Sequence, residues 1–409
     1  MRGYEEKYIL MHRNYEVMEI DFYPNYSVKN IGEIINKERL PVGLNEIIFN
    51  KNNVGVDEWL FSRAIPQARE GIRLILSATN TKNNKELLVK NMGLSLTDCY
   101  WLKTKEDKSK WDDVNFFSNK FSSEVEGYYL SISPREGDKP DNGKPNPNKT
   151  SQGMLPKGWV CREDKRQLIK GAITPFFQEP YNEVAISKWL DAIGVKHVPY
   201  ELKTLNKRTY SVCPLMQEQG EEIIPADSVL NTKPRDPKIS SFEHYVSCCV
   251  DLGLKKDEVI NNLEEMILID YLDVNIDRHW TNFAVMRDSE NLKFTRMAPL
   301  FDNGLSLFSN LPTSLIEEEN DIMPNSSFLP THKENILLVK NFQLLQNENI
   351  GSLSEICREQ FRLNPELNAQ RIDKITDTVS LRLKDVLKIL PVRQIFVGAN
   401  FDKKTVPHA

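Results

Sequence analysis

The apolar periodicity of this chain changes once, near Ser241, and that change constrains the fold more than any other feature of the sequence. Upstream of it, short apolar runs at Gly158 to Cys161, Gln167 to Lys170, His197 to Leu202 and Thr209 to Cys213 are spaced like strands of an antiparallel sheet. One helical stretch, Tyr181 to Ile193, interrupts them. Downstream, apolar residues recur at helical spacing over Phe242 to Leu252, Asp257 to Leu272, Glu334 to Leu345, Ser352 to Phe361 and Ile372 to Ile389. A sheet-rich lobe thus precedes a helix-rich one. A further unit lies before both. Residues 8 to 22 alternate apolar and polar around an Arg13-Asn14 break, which suits two strands and a tight turn. Helical spacing follows over Asp57 to Ala64 and Arg69 to Ala78, broken at Pro66. The stretch DKPDNGKPNPNKT, residues 138 to 150, has no periodicity and marks a boundary. The expected organisation is an α+β chain: a mixed N-terminal subdomain over 1–135, a sheet-rich lobe over 136–225 and a helical lobe over 226–409.

Length and charge narrow the function classes. A chain of 409 residues accommodates two or three packed units. Lys plus Arg total 53 against 58 for Asp plus Glu, and a net charge of −5 argues against a protein that holds nucleic acid electrostatically. The six cysteines include no CxxC pair, so they read as reduced thiols rather than a zinc site or disulfide framework. Charges interrupt every apolar run near the N-terminus, and no stretch reaches membrane-spanning length. The expectation is a cytoplasmic protein with no membrane association and no direct nucleic-acid partner.

Residues 270 to 308 carry the chemistry. Asp277 and Asn282 stand five apart in D-R-H-W-T-N, and Asp302 lies in F-D-N-G after two strand-like runs, Asn282 to Met286 and Leu292 to Met297. A hairpin would return Asp302 to the side of Asn282. Phosphoryl transfer needs such groups: a carboxylate to take the proton of the attacking hydroxyl, and oxygen ligands to hold Mg²⁺ against phosphate. Taken singly, these residues suit turns and caps equally well; together they match the Asp-to-Asn spacing of the kinase catalytic loop. Arg278 reads as an ion-pair anchor for that loop, with Asp270 or Asp273 as partner, and His279 as a loop-packing residue.

The nucleotide side is less sharply written. Lys170 ends a strand-like run and suits a phosphate-binding lysine, with Glu183, opening the following helix, as its orienting carboxylate. The stretch Thr150 to Gly158 sits where a phosphate-covering turn belongs, with Gly153 allowing close backbone approach and Lys157 adding charge. It matches neither GxxxxGK[ST] nor GxGxxG. Cys213 and Leu215, at the end of a strand between the lobes, are candidates to face adenine with their backbone, though strand termination explains the segment equally well.

Together, TSQGMLPKGWV, LIKG, N-E-V-A, N-I-D-R-H-W-T-N and A-P-L-F-D-N-G resemble the HipA-like Ser/Thr kinases, over about Thr150 to Leu307. The resemblance implies a bilobal protein-kinase-like fold, with Asp277 as base, Asn282 and Asp302 as Mg²⁺ ligands and Lys170 on the phosphates of ATP. It implies a protein Ser or Thr as acceptor and a small helix-turn-helix antitoxin as partner. It also implies autophosphorylation at Thr150 or Ser151. Two other readings stand beside it: a lipid or small-molecule phosphotransferase on the same scaffold, and a binding protein that keeps the scaffold without catalysis.

Overall fold

The hairpin expected from residues 8 to 22 forms in the computed structural model, which describes residues 7–44, 53–131, 141, 143–218, 220–317, 324–325 and 328–397. Strands β1 (Lys7–His12) and β2 (Tyr15–Phe22) pair antiparallel, and Arg13 takes a left-handed φ of 53° to make the turn. Strands β3 (Val28–Ile34) and β4 (Tyr100–Thr104) complete a four-stranded sheet in the order β3-β2-β1-β4. Helices α1 (Asn53–Ser62) and α3 (Asn84–Lys90) cover it with Val56, Leu60 and Leu88, while α2 (Ile72–Ala78) lies beside Tyr128 and Tyr129. The boundary expected at 135/136 lies outside the described residues.

A second sheet has the order β5-β6-β8-β7, from β5 (Lys157–Arg162), β6 (Lys165–Lys170), β7 (Glu201–Leu205) and β8 (Arg208–Pro214). Its Val160, Ile169, Tyr210 and Val212 pack on Leu130 of the N-terminal unit. The other face carries Lys157 and Lys170. Strand β7 begins at Glu201, later than the expected His197, because the preceding backbone reaches across to the helical lobe. There Val198 N–H donates to Leu300 O at 2.8 Å.

Helix α4 (Glu179–Ile193) belongs to the sheet lobe by sequence and to the helical lobe by packing. Ile186, Trp189, Leu190 and Ile193 join one core with α6 (Lys256–Asp273), α7 (Leu353–Phe361) and α8 (Ala369–Val397). Burying each such side chain contributes roughly 1.5–3 kcal/mol, against about 1 kcal/mol for a single hydrogen bond, so apolar packing fixes where α4 lies and polar contacts set its rotation.

Between the lobes, β9 (Glu221–Pro225) pairs with β10 (Ala284–Asp288), which pairs with β11 (Phe294–Met297). The expected hairpin of residues 282 to 297 is thus present and gains a third strand. Helix α5 (Ser241–Asp251) starts at a capping box of Ser240 and Glu243. The expected helix from Glu334 to Leu345 does not form as one piece. A helical turn over His332–Asn335 gives way to 3₁₀ turns, and the buried Glu264 carboxylate takes the backbone N–H groups of Lys340 (3.1 Å) and Asn341 (2.7 Å). A side chain from α6 thereby holds this backbone in place of a helical ladder. Among the described residues no helix is long and apolar enough to cross a membrane.

Candidate active site

Residues directly opposite on antiparallel strands share a face. Lys170 opposes Lys157 of β5 and Ser211 of β8, while Leu168 opposes Trp159 and Cys213. One sheet face therefore carries two lysines, a serine and a cysteine, while Ile169 and Val212 point the other way. Lys170 Nζ contacts the Glu183 carboxylate from α4 and the Asp302 carboxylate from the helical lobe. Glu183 stands in the second turn of α4; Glu179 occupies the start of the helix, accepting from the backbone N–H groups of Ile173 and Thr174. Glu183 Oε2 also accepts from Asn303 N–H at 3.0 Å, so one carboxylate holds both the lysine and the residue after Asp302.

The electrostatics of this trio are uneven. Burial alone would lower the proton affinity of Lys170, but Asp302 and Glu183 overcome it and hold the ammonium well above the ordinary lysine range. Burial raises Glu183 despite Lys170 beside it. Asp302 goes the other way: burial is outweighed by Lys170 and Lys157, which keep it ionised below the usual carboxylate range. Lys157 itself is pushed down to about 8 by burial.

The loop bearing Asp277 follows α6 directly. Val274, a β-branched residue, takes a left-handed φ of 56°, uncommon for its type, and turns the chain out of the helix. The loop then closes on itself. Asn275 Oδ1 accepts from Asp277 N–H at 2.9 Å, and Asn282 Nδ2 donates to Asp277 O at 2.8 Å. Asn282 Oδ1 accepts no hydrogen bond among the described residues, which leaves an oxygen acceptor beside Asp277. Burial raises the Asp277 carboxyl above the ordinary aspartate range, with Asp302 adding to the effect and His279 opposing it. His279 stays within the loop, its Nδ1 2.8 Å from Thr281 Oγ1.

Arg278 ties these pieces together. Its buried guanidinium pairs with Asp270, the first of the partners expected from the sequence, at 3.0 Å. It also donates to Asn282 O (2.7 Å), Phe301 O (2.7 Å) and Asn303 Oδ1 (2.6 Å). One side chain thus spans the loop of Asp277 and Asn282 and both neighbours of Asp302. Asp302 itself adopts φ 61°, a left-handed conformation that aspartate tolerates better than most residues.

Several participants were not foreseen from sequence. Tyr200 places its hydroxyl 3.4 Å from Asp302 N and its ring 5.4 Å from Lys170 Nζ. Asn182, beside Glu183, donates to Gly304 O and Ser306 O, both at 2.8 Å, and Gln178 reaches Leu307 O at 2.9 Å. These amides rotate α4 so that Glu183 faces Lys170. The only sequence signal for them was polarity on a helix otherwise read as packing.

The remaining candidates divide. Cys213 faces the site beside Lys170 and Tyr200, its thiol pushed up to about 12 by burial. Gly153 has φ +88°, and a Cβ there would lie 2.6 Å from Lys157 Nζ, so the glycine makes room for that ammonium. Leu215 is not brought to the site with them: it packs beside Trp101, Trp111 and Phe116 of the N-terminal unit, and its N–H donates to Arg166 O at 3.0 Å. Thr150 and Ser151 are buried. Thr150 Oγ1 donates to Leu94 O at 2.6 Å, and Ser151 Oγ accepts from Arg69 at 2.9 Å. In this arrangement neither hydroxyl can meet a phosphate donor, and modification requires the segment to leave its bed.

The donor set fits a hard cation. Asn282 Oδ1 and the ionised Asp302 offer oxygen donors, and no cluster of three or more His, Cys, Asp or Glu side chains forms a metal cage among the described residues. Mg²⁺ is commonly bound that way, through one or two protein ligands completed by phosphate oxygens and water.

No family model matches the chain, and no curated protein matches it in sequence. Solved structures do match in fold. HipA in the complex of Shewanella oneidensis MR-1 HipA, HipB and operator DNA, a toxin–antitoxin system, is 10% identical with a TM-score of 0.56, covering 92% of this chain and 97% of that one. The Helicobacter pylori proinflammatory kinase CtkA is 14% identical with a TM-score of 0.48, covering 59% of this chain and 95% of that one. The Shewanella match runs nearly end to end on both chains. This chain has the fold of HipA, N-terminal unit included.

Proposed function

We propose that this protein is an ATP-dependent kinase that transfers the γ-phosphoryl group to a protein serine or threonine. The observation that carries the reading is the Lys170 ammonium held between Glu183 and Asp302, with the Asp277–Asn282 loop tied to both neighbours of Asp302 through Arg278. Lys170 binds nucleotide phosphate, and Glu183 keeps it on the site. Asp277 accepts the proton of the attacking hydroxyl as the new oxygen–phosphorus bond forms and ADP leaves with the electrons of the broken one. Asn282 Oδ1 and Asp302 would hold Mg²⁺, which when bound would supply positive charge against the phosphate oxygens. Arg278 keeps base and metal ligands in register, since small misplacements of reacting groups cost large factors in rate.

A raised Asp277 carboxyl suits this role. Its proton affinity is higher than that of an ordinary aspartate, which strengthens it as a base. Autophosphorylation at Thr150 or Ser151 belongs to the same reading, as does a small helix-turn-helix repressor as partner. The Shewanella HipA structure holds both HipB and operator DNA, so the expectation of no direct nucleic-acid contact draws no support from it.

The test is transfer of label from γ-labelled ATP with Mg²⁺ to protein in a cell lysate, followed by phosphoamino-acid determination. Phosphoserine or phosphothreonine with the wild type, lost in Asp277→Ala and Asp302→Ala, is the expected result. Label in lipid or small molecules instead would overturn the choice of acceptor, and equal labelling by Asp277→Ala would overturn the base.

A further inference from the structure

Arg69 belongs to the N-terminal unit, in the turn between α1 and α2, yet its side chain ends beneath the loop that leads to Lys157. Arg69 is 1% exposed. Nη1 donates to Ser151 O and Ser151 Oγ, each at 2.9 Å, and Nη2 donates to Lys157 O at 2.8 Å and Tyr129 O at 3.3 Å. Among the described residues it meets no carboxylate, and its Nε has no hydrogen-bond partner. Burying a guanidinium without a counter-charge is costly, and the cost is visible in an affinity for its proton lowered to about 10 by burial. A residue that only filled space there would be apolar.

The contacts explain what the charge does. Ser151 and Lys157 are the two ends of the loop over Gln152 to Pro156, and one planar fork grips both. Planarity matters, because a guanidinium can hold acceptors at fixed mutual angles where an ammonium cannot. Further bonds bind the same segment to the N-terminal unit: Thr150 Oγ1 to Leu94 O at 2.6 Å, and Asn146 N–H to Asn91 Oδ1 at 2.8 Å. Lys157 then projects onto the face shared with Lys170, within electrostatic reach of Asp302.

We propose that Arg69 is the positioning residue of the phosphate-covering loop, so that the N-terminal unit, acting through Arg69, sets where Lys157 meets the nucleotide phosphates. The proposal rests on the nucleotide-binding reading above. It gives the N-terminal unit a task inside the reaction cycle: anything that shifts the turn bearing Arg69 shifts the loop over the phosphates, without touching Asp277, Asn282 or Asp302.

Calorimetric titration of the full chain with adenosine, ADP-Mg²⁺ and ATP-Mg²⁺ separates positioning from mere support. In Arg69→Lys, which keeps the charge but loses the fork, ATP affinity should fall about tenfold, the size of one lost charge-assisted hydrogen bond, while adenosine affinity stays as in the wild type. The KM for ATP should rise correspondingly, with kcat changed less. Arg69→Met, if it folds, should show the same pattern more strongly; if it does not, Arg69→Lys carries the test. Unchanged ATP affinity in Arg69→Lys would overturn the proposal, and so would parallel loss of adenosine and ATP, which marks a support role. Failure of the wild type to bind ATP at all would instead remove the nucleotide-binding reading itself.

Discussion

Two buried ionic clusters join distant parts of this chain, and they are built on opposite plans. At the joint between the N-terminal unit and β9, Glu222 is fully buried and both its oxygens are taken. Oε1 accepts from His12 Nε2 (2.9 Å) and Cys99 N–H (2.8 Å), and Oε2 accepts from Arg287 Nε (3.0 Å) and Nη2 (2.7 Å). Burial is outweighed by Arg287 and His12, and the carboxylate is held below its usual range. In the cleft, Lys170 is shared between Glu183 and Asp302, Asp277 adds a third carboxylate, and their proton affinities are driven apart. The side chains of Asp277 and Asp302 remain 31% and 27% exposed. The joint is saturated by its own chain; the cleft is left with oxygen atoms for something else to bind. That difference separates a rivet from a candidate site more clearly than burial or charge alone.

Mutations should break the two clusters in different currencies. The largest effect is on chemistry: Asp277→Ala should slow phosphoryl transfer about a thousandfold, about 4 kcal/mol of barrier. Its thermal midpoint should stay near that of the wild type, because no saturated partner is orphaned. Glu222→Ala should do the reverse, costing about 3 kcal/mol in urea unfolding because Arg287 is left buried without its counter-charge. Folded Glu222 titrates below its unfolded value of about 4.3, so its contribution is complete above that pH and fades as the pH falls through it. The gap between wild type and Glu222→Ala should therefore narrow in acid. A Glu222→Ala protein as stable as the wild type would erase the contrast.

Arg278→Lys comes next, since it belongs to both plans: a saturated cation holding reactive residues. It should lower kcat about 10- to 100-fold while the KM for ATP moves less, because lysine cannot span Asp270, Asn282 O and Phe301 O together. The smallest effect concerns pH. Activity should fall on the acid side as Asp277 takes up a proton, at a pH above the ordinary aspartate value of about 3.9. His279→Ala removes a neighbour that favours the ionised form, so this acid limb should move to higher pH in a profile of log kcat/KM. A limb that moves down would assign it to another group.

Groups lying within one loop or strand were legible in the sequence. Asp277 and Asn282 share a loop, and Lys170 ends a strand whose alternation fixes its face, so spacing alone placed them. The pairing of Lys170 with Glu183 was readable because a helix packed on the sheet had to pass nearby. Arg69, Glu222 and Tyr200 were not legible, because their partners lie far along the chain and impose no local period. The same holds for the broken helix after Asn335, where Glu264 of α6 holds the backbone and nothing in ENILLVKNFQLL announces it. For Leu215 the strand end was legible, but the N-terminal unit that takes its side chain was not.

The packing of α4 has a consequence for how the protein is made. By the time Asp302 has been synthesised, the nascent chain contains every residue of the proposed chemistry. It does not yet contain Leu353, Cys357, Phe361, Ile375 or Val379, which complete the core against which Trp189 and Leu190 lie. Until those residues follow, α4 lacks most of the bed that holds Glu183 against Lys170. Domains of growing chains generally fold as units once their sequence is available. The order of synthesis thus acts as a delay: the bed of α4 is complete only after the segment through Val379 has followed Asp302.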